Sequence, residues 1–195
     1  YFMRDLAYWL FILLLCSMSV YFAYNAELRR SRFAEAKKVR QLQSGCEVAL
    51  AEVLDGDELS VKSDRGSAFV VRLLGIKTFS SKSPKDELSL SGEAALSFWK
   101  AFEDKTLKLV FKDLERDSHD RVLAYLEYED RDLGRELLQA GWGVVFERHS
   151  CSRKENYREV EKRARSERRG LWGREASRRS ALAMKAAWEA MRIDD

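Results

Sequence analysis

The sequence predicts an α+β protein: a small five-stranded β-barrel with three helices, preceded by one apolar helix and followed by an amphipathic one. Three observations predict this. Residues 6–26 carry no charge. Five short β patterns between residues 47 and 128 are separated by turn residues. Stretches with apolar residues at helical spacing lie among and after those strands.

The elements can be taken in order. The apolar run at 6–26 is just long enough to cross a bilayer, where roughly 20 residues are needed. Trp9 and Leu14 lie in its first half. Tyr21, Phe22 and Tyr24 lie at its far end, as expected of interfacial anchors. A cleaved signal peptide is the alternative, but it should have a shorter apolar core and a small-x-small exit. The stretch Leu13-Leu14-Leu15-Cys16 is similar to a lipoprotein cleavage box, yet Leu15 is larger than the residue normally found there. A retained transmembrane helix is therefore the expectation for residues 1–26. Arg29, Arg30, Arg32, Lys37, Lys38 and Arg40 follow this run, whereas only Arg4, offset by Asp5, precedes it. The positive-inside rule then puts the C-terminal part on the cytoplasmic side of a bacterial plasma membrane, or the matrix side of a mitochondrial inner membrane.

Residues 27–45 are rich in Ala, Glu, Arg and Lys with no Gly before Gly45, which predicts a polar helical stalk. Strands are expected at 47–54, 57–63, 67–74, 106–111 and 121–128, with Ser63-Asp64-Arg65-Gly66 as a hairpin link. Ser91 is expected to cap a helix whose Ala94, Ala95, Phe98, Trp99 and Phe102 share a face. A short helix at 133–140 should end at Gly141, and a third should span 154–168. Five strands with interspersed helices suit an OB-fold barrel over residues 46–172. In residues 173–195, Ala181, Met184, Trp188 and Met191 form one apolar stripe, with Arg178, Lys185 and Arg192 as a basic stripe beside it. Such a helix either packs on its own domain or docks on a partner.

At 195 residues there is room for one globular domain plus extensions, and the net charge of +3 is too small to imply nucleic-acid binding by itself. Two histidines argue against a His-rich metal site. The cysteines, at 16, 46 and 151, have no C-x-x-C spacing, which argues against zinc. Cys46 and Cys151 are either two thiols or a pair joined in an oxidising compartment.

Four segments carry a family likeness: Val53-Leu54-Asp55-Gly56-Asp57, Val71-Arg72-Leu73-Leu74-Gly75-Ile76-Lys77-Thr78-Phe79-Ser80, Asp120-Arg121-Val122-Leu123-Ala124-Tyr125 and Arg169-Gly170-Leu171-Trp172. Together they resemble the staphylococcal nuclease (thermonuclease-like) family over roughly residues 46–172. The resemblance implies an OB-fold barrel. It also implies a phosphodiesterase site in which carboxylates hold calcium, a glutamate assists the attacking water and two arginines stabilise charge on the phosphate.

Carried over residue by residue, Asp57 matches the first metal-binding aspartate, and Arg72 and Arg121 match the two arginines. Thr78 keeps a backbone carbonyl that suits a cation. Lys77 stands where the second metal carboxylate is expected, and Ser80 where the glutamate is expected. Exchanging −1 for +1 beside a divalent ion costs on the order of 10 kcal/mol, taking about 4 kcal/mol per unit-charge pair at about 4 Å and an effective dielectric near 20. Lys77 is expected to neutralise Asp57 instead. Ser118 and His119 replace a lysine and a tyrosine, and Phe146 and His149 stand where the family tends to have tyrosines. Asp86 or Glu87 is the candidate for a replacement carboxylate.

Two functions follow from this sequence. The first is a membrane-anchored, catalytically inactive nuclease-like domain, an accessory subunit of a larger membrane complex, for example one of respiratory type. Its partners would be other subunits and the bilayer, with no cofactor and no nucleic acid. The alternative is a divergent membrane-bound nuclease acting on DNA or RNA, with Ca2+ required only in that case. Binding of nucleic acid without cleavage is a third possibility. The alternating charges of residues 148–179 suit a solvated, ion-paired helix better.

Overall fold

The computed structural model describes residues 17–18, 20–22, 24, 42–64, 66–82 and 86–190, and the chain divides into two units, 1–41 and 42–195. In the first unit the described residues between 17 and 24 are helical, and the rings of Tyr21 and Phe22 meet edge to face at 5.9 Å. Trp9, Leu14, Met191 and Arg192 lie outside the described residues, as does the stalk expected at 27–45 up to residue 41. Its last four residues, 42–45, are coil and turn and not helix, because the chain is already entering β1 there. Among the described residues no helix is long and apolar enough to cross a membrane.

The second unit is built on strands whose side chains alternate between core and solvent. β1 (Cys46–Asp55) buries Val48 and Leu50, and β2 (Glu58–Ser63) buries Leu59 and Val61. β3 (Ala68–Leu73) follows and pairs with β2. β4 (Ile76–Thr78) is separated from it by a turn. After α1 (Asp86–Lys100), β5 (Thr106–Arg116) runs antiparallel to both β1 and β6 (Val122–Tyr128). The last pairing closes the barrel: β3 lies parallel to β6, with Val71, Arg72 and Leu73 opposite Val122, Leu123 and Ala124. Five strands thus form a closed barrel of OB type, an α+β architecture as expected. Five consecutive residues of β6 are buried, because this strand is covered on both faces.

Several boundaries differ from expectation. Register shifts bend β1 after Leu50 and β5 after Val110. A bulge lets a strand turn the barrel corner without ending, so β5 runs to Arg116 rather than stopping at residue 111. The run at 67–74 ends at Gly75, whose φ of 77° suits glycine and where a Cβ would lie 2.5 Å from the Cys151 sulfur. The chain restarts as β4, which pairs with β8 (Gly143–Val145) in a small second sheet. α1 begins at Asp86, so Ser91 is buried in its interior and does not cap it. The helix reaches further back because Glu87 is held by the C-terminal helix.

β7 (Arg131–Asp132) leads into α2 (Leu133–Ala140), capped by the Asp132 carboxylate accepting from the Arg135 amide at 3.1 Å and closed by Gly141 as expected. α3 (Lys154–Ser166), a 3-10 turn at Gly170–Gly173 and α4 (Glu175–Ala190) complete the unit. Cys46 and Cys151 are thiols, and the Tyr125 hydroxyl lies 3.3 Å from the Cys151 sulfur.

The tail packs on its own domain as far as it is described. Ala181 is fully buried, and Met184 and Trp188 pack against a core of Phe79, Leu88, Val144, Ala164, Leu171 and Trp172. Ser177 donates to the Glu87 carbonyl at 3.2 Å, and Ser180 to the Glu87 carboxylate at 2.8 Å. Of the basic stripe, Lys185 is turned toward the domain, whereas Arg178 is exposed. Lys185 lies 3.5 Å from the Glu161 carboxylate of α3, and Arg178 pairs with Glu175. Its own domain thus covers the described part of the apolar stripe, fully at Ala181 and in part at Met184 and Trp188.

Candidate functional site

The Asp55-Gly56-Asp57 turn is fixed from below by α1. The Trp99 indole donates to the Gly56 carbonyl at 2.8 Å, and a Cβ at Gly56 would lie 2.6 Å from that of Ala95. This close approach turns Asp57 into the protein, where it is 1% exposed. Its carboxylate is ion-paired with Arg72 and accepts from the Thr78 hydroxyl at 2.7 Å. Arg72, 6% exposed, also donates to the carbonyls of Asp57 and Ile76, both at 3.3 Å. Burial lowers its guanidinium to about 10, which leaves it charged at neutral pH.

Arg121 stands at the entrance to β6, where the β2–β3–β6 pairing brings Glu58 beside it. It is ion-paired with Glu58 and donates its Nε to Asp117 at 2.7 Å. Asp117 also accepts from the amides of His119 and Arg121, at 2.9 and 3.1 Å. Burial works against the Asp117 carboxylate, but its bonds to Arg121 outweigh that and hold it below the usual range. The same bonds, against the cost of burial, raise Arg121. Glu58 and Asp117 escape a reading of the sequence by family positions. The signal for Asp117 is an Asp four residues before Arg121, across a tight Ser118-His119-Asp120 turn.

Asp57 is therefore neutralised by Arg72, and not by Lys77 as expected. β4 sets Lys77 opposite Val144 and aims its ammonium at two rings, 5.1 Å from the centroid of Trp188 and 5.8 Å from that of Phe146. Burial, with repulsion from Arg72, lowers it to about 8. Ser80 is exposed and accepts from the Lys82 amide at 3.2 Å. Glu87 is bound to α4 and turned away from this wall; the side chain of Asp86 lies outside the described residues.

These residues line a cleft of about 400 Å³. Arg72, Lys77 and Arg121 form one wall, the exposed Ser118 and His119 the rim, and Phe146 and His149 the far side. The Ser118 hydroxyl and the His119 Nδ1 lie 3.3 Å apart. Burial pushes His149 below its ordinary value, favouring the neutral ring at physiological pH. Of the site residues read from the sequence, Arg72, Lys77, Ser118, His119, Arg121, Phe146 and His149 share this cleft with Trp188 of α4, which the family likeness does not reach. Asp57 and Thr78 lie buried behind Arg72, and Ser80 is not in the lining.

A hard divalent cation needs several oxygen ligands. Here the one carboxylate at the expected position is spent on Arg72 and Thr78, and a lysine lies where another is required. Among the described residues no cluster of three or more His, Cys, Asp or Glu is placed to hold a metal. The residues present do not fit calcium.

Comparison with known proteins agrees with the fold. No curated protein matches the chain. Residues 70–174, more than half of the chain, match the family described as staphylococcal nuclease homologue. The match includes Arg72, Lys77, Thr78, Ser80, Ser118, His119 and Arg121, begins after Asp57 and ends before α4. The chain belongs to the staphylococcal nuclease homologue family.

Proposed function

We propose that this is a catalytically inactive member of the family, held in a membrane by residues 6–26 and acting as an accessory subunit of a membrane protein complex. One observation carries the reading: the two arginines at the family's phosphate positions are already ion-paired within the protein. Arg72 is spent on Asp57, Arg121 on Glu58 and Asp117, and Lys77 and Ser80 replace the two carboxylates that the chemistry requires. Phosphoryl transfer depends on positioned charge and a base for the attacking water, and neither is offered by this arrangement. The uncharged run at 6–26, with its basic C-terminal flank, supports a single-pass anchor in a bacterial plasma membrane or mitochondrial inner membrane, the barrel facing the cytoplasm or matrix.

The test has two arms. The full chain in mild detergent should leave single- and double-stranded DNA and RNA intact with Ca2+ present. Ca2+-dependent cleavage that is lost in a folded Asp57→Asn chain would establish the alternative, a divergent nuclease, which the placing of Arg72 and Arg121 on one cleft favours. In the second arm, alkaline carbonate should leave the native protein in the membrane pellet, and mild-detergent extraction should bring partner subunits with it. Release into the supernatant would remove the anchor, and with it the accessory role.

A further inference from the structure

Helix α4 lies beyond the residues that match the family, yet it supplies part of the cleft. Trp188 stacks on Phe79 with centroids 5.4 Å apart and planes at 26°, and meets Phe146 edge to face at 6.0 Å. Its ring lies over Lys77, the residue at the centre of the departure from the family pattern. The helix behind it is fixed at three further points: Ala181 in the core, Ser177 and Ser180 on Glu87, and Lys185 on Glu161. The indole is thus a held part of the wall.

What it covers is a cleft lined by more cationic than acidic side chains. Arg72, Lys77, Arg116, Arg121 and Arg148 line the cleft. Arg72, Arg116 and Arg121 are ion-paired with carboxylates, whereas Lys77 meets aromatic rings and is the cation that Trp188 covers. A positively charged groove with aromatic side chains is the physical requirement for taking up a single nucleic-acid strand, whose bases stack and whose phosphates release counterions. Here Phe146 and Trp188 already face each other edge to face, and Trp188 also covers the Lys77 ammonium. Their faces are engaged within the protein.

We propose that α4 is a built-in stopper: Trp188 closes the basic cleft to single-stranded nucleic acid, and losing its side chain opens the cleft. The indole excludes a base by occupying the space between Phe79, Phe146 and Lys77, and it screens Lys77 from an incoming phosphate. The proposal stands on the cleft and not on the accessory role.

The experiment uses the full chain in mild detergent and a fluorescein-labelled oligothymidylate, read by fluorescence anisotropy at low and moderate salt. Trp188→Ala is expected to bind at least about tenfold more tightly than the native chain, with affinity falling as salt rises. Trp188→Phe, which keeps a ring in place, should stay near the native value. A thermal melt checks the fold. Should the alanine variant fail to fold, Trp188→Leu keeps an apolar contact with Phe79 while vacating the cleft side, and the same gain is expected of it. Equal binding by the native chain and a folded Ala or Leu variant overturns the stopper, as does tight binding by the native chain. Binding by the variant without cleavage upholds the stopper and leaves the inactive reading intact. Binding with cleavage upholds the stopper and overturns that reading, so the two fail separately.

Discussion

Replacing Lys77 with methionine should stabilise the protein at neutral pH, and the gain should vanish in alkali. The lysine is lowered from its ordinary 10.5 to about 8, by burial first and by repulsion from Arg72 second. A pKa gap of this size, at about 1.4 kcal/mol per unit, sets a ceiling of roughly 3.5 kcal/mol on the cost of keeping the ammonium charged. The group is only partly buried, so solvent screening removes about half of that. Attraction to the rings of Trp188 and Phe146 returns about 0.5–1 kcal/mol. Methionine fills the same aromatic slot with favourable sulfur contacts. The net expectation for Lys77→Met is a gain of about 1 kcal/mol at pH 7. The sign with pH follows from linkage. Because the folded-state pKa lies below the unfolded one, the unfolded chain binds more protons between about pH 8 and 10.5, and native stability rises across that window relative to the variant. Urea denaturation of both chains at pH 7 and pH 10.5, compared as a difference of differences, isolates Lys77 from everything else that titrates. A variant less stable than the native chain at pH 7, or a difference constant with pH, would refute the reasoning and make the ring contacts the dominant force.

Other changes reach different parts of the structure. Arg72→Met should cost about 3 kcal/mol or more in denaturant unfolding, because it strands the buried Asp57 carboxylate with only Thr78 as partner; a near-neutral result would mean that Asp57 is not held as an ion. Tyr157→Phe removes a buried hydroxyl that donates to Asp132, at 2.8 and 3.0 Å from its two oxygens, and should cost about 1.5–3 kcal/mol in the same assay. Lys77→Asp combined with Ser80→Glu should take up Ca2+ measurably by calorimetry, since it restores the two missing carboxylates. No uptake by a folded double variant would show that Arg72 keeps Asp57 for itself or that the loop is aligned wrongly to the family.

Much of the barrel was legible in the amino-acid sequence, because alternation of apolar and polar residues is a local property. The cores of β2, β5 and β6 were visible this way, and so was the end of α2 at Gly141. The bulges in β1 and β5 were not, since nothing in Val110 or Leu50 announces that the barrel must turn a corner there. Ser91 looked like a cap by its type, yet tertiary contacts from Ser177 and Ser180 to Glu87 extend α1 a turn further back.

The site divides in the same way. Residue identities at 57, 72, 77, 80 and 121 were enough to say which charges are present and which are absent from the family pattern, because charge belongs to the side chain. Which charge meets which was decided only in three dimensions. The strand pairing puts Glu58 beside Arg121 and the close approach of α1 turns Asp57 toward Arg72, leaving Lys77 to find aromatic rings instead of a carboxylate. One of those rings comes from Trp188, 111 positions further along the chain. An apolar stripe on a helix records that something covers it, but periodicity carries no information about what. Here the answer depends on the shape of the cleft and the core around Phe79, which exist only once the barrel has closed.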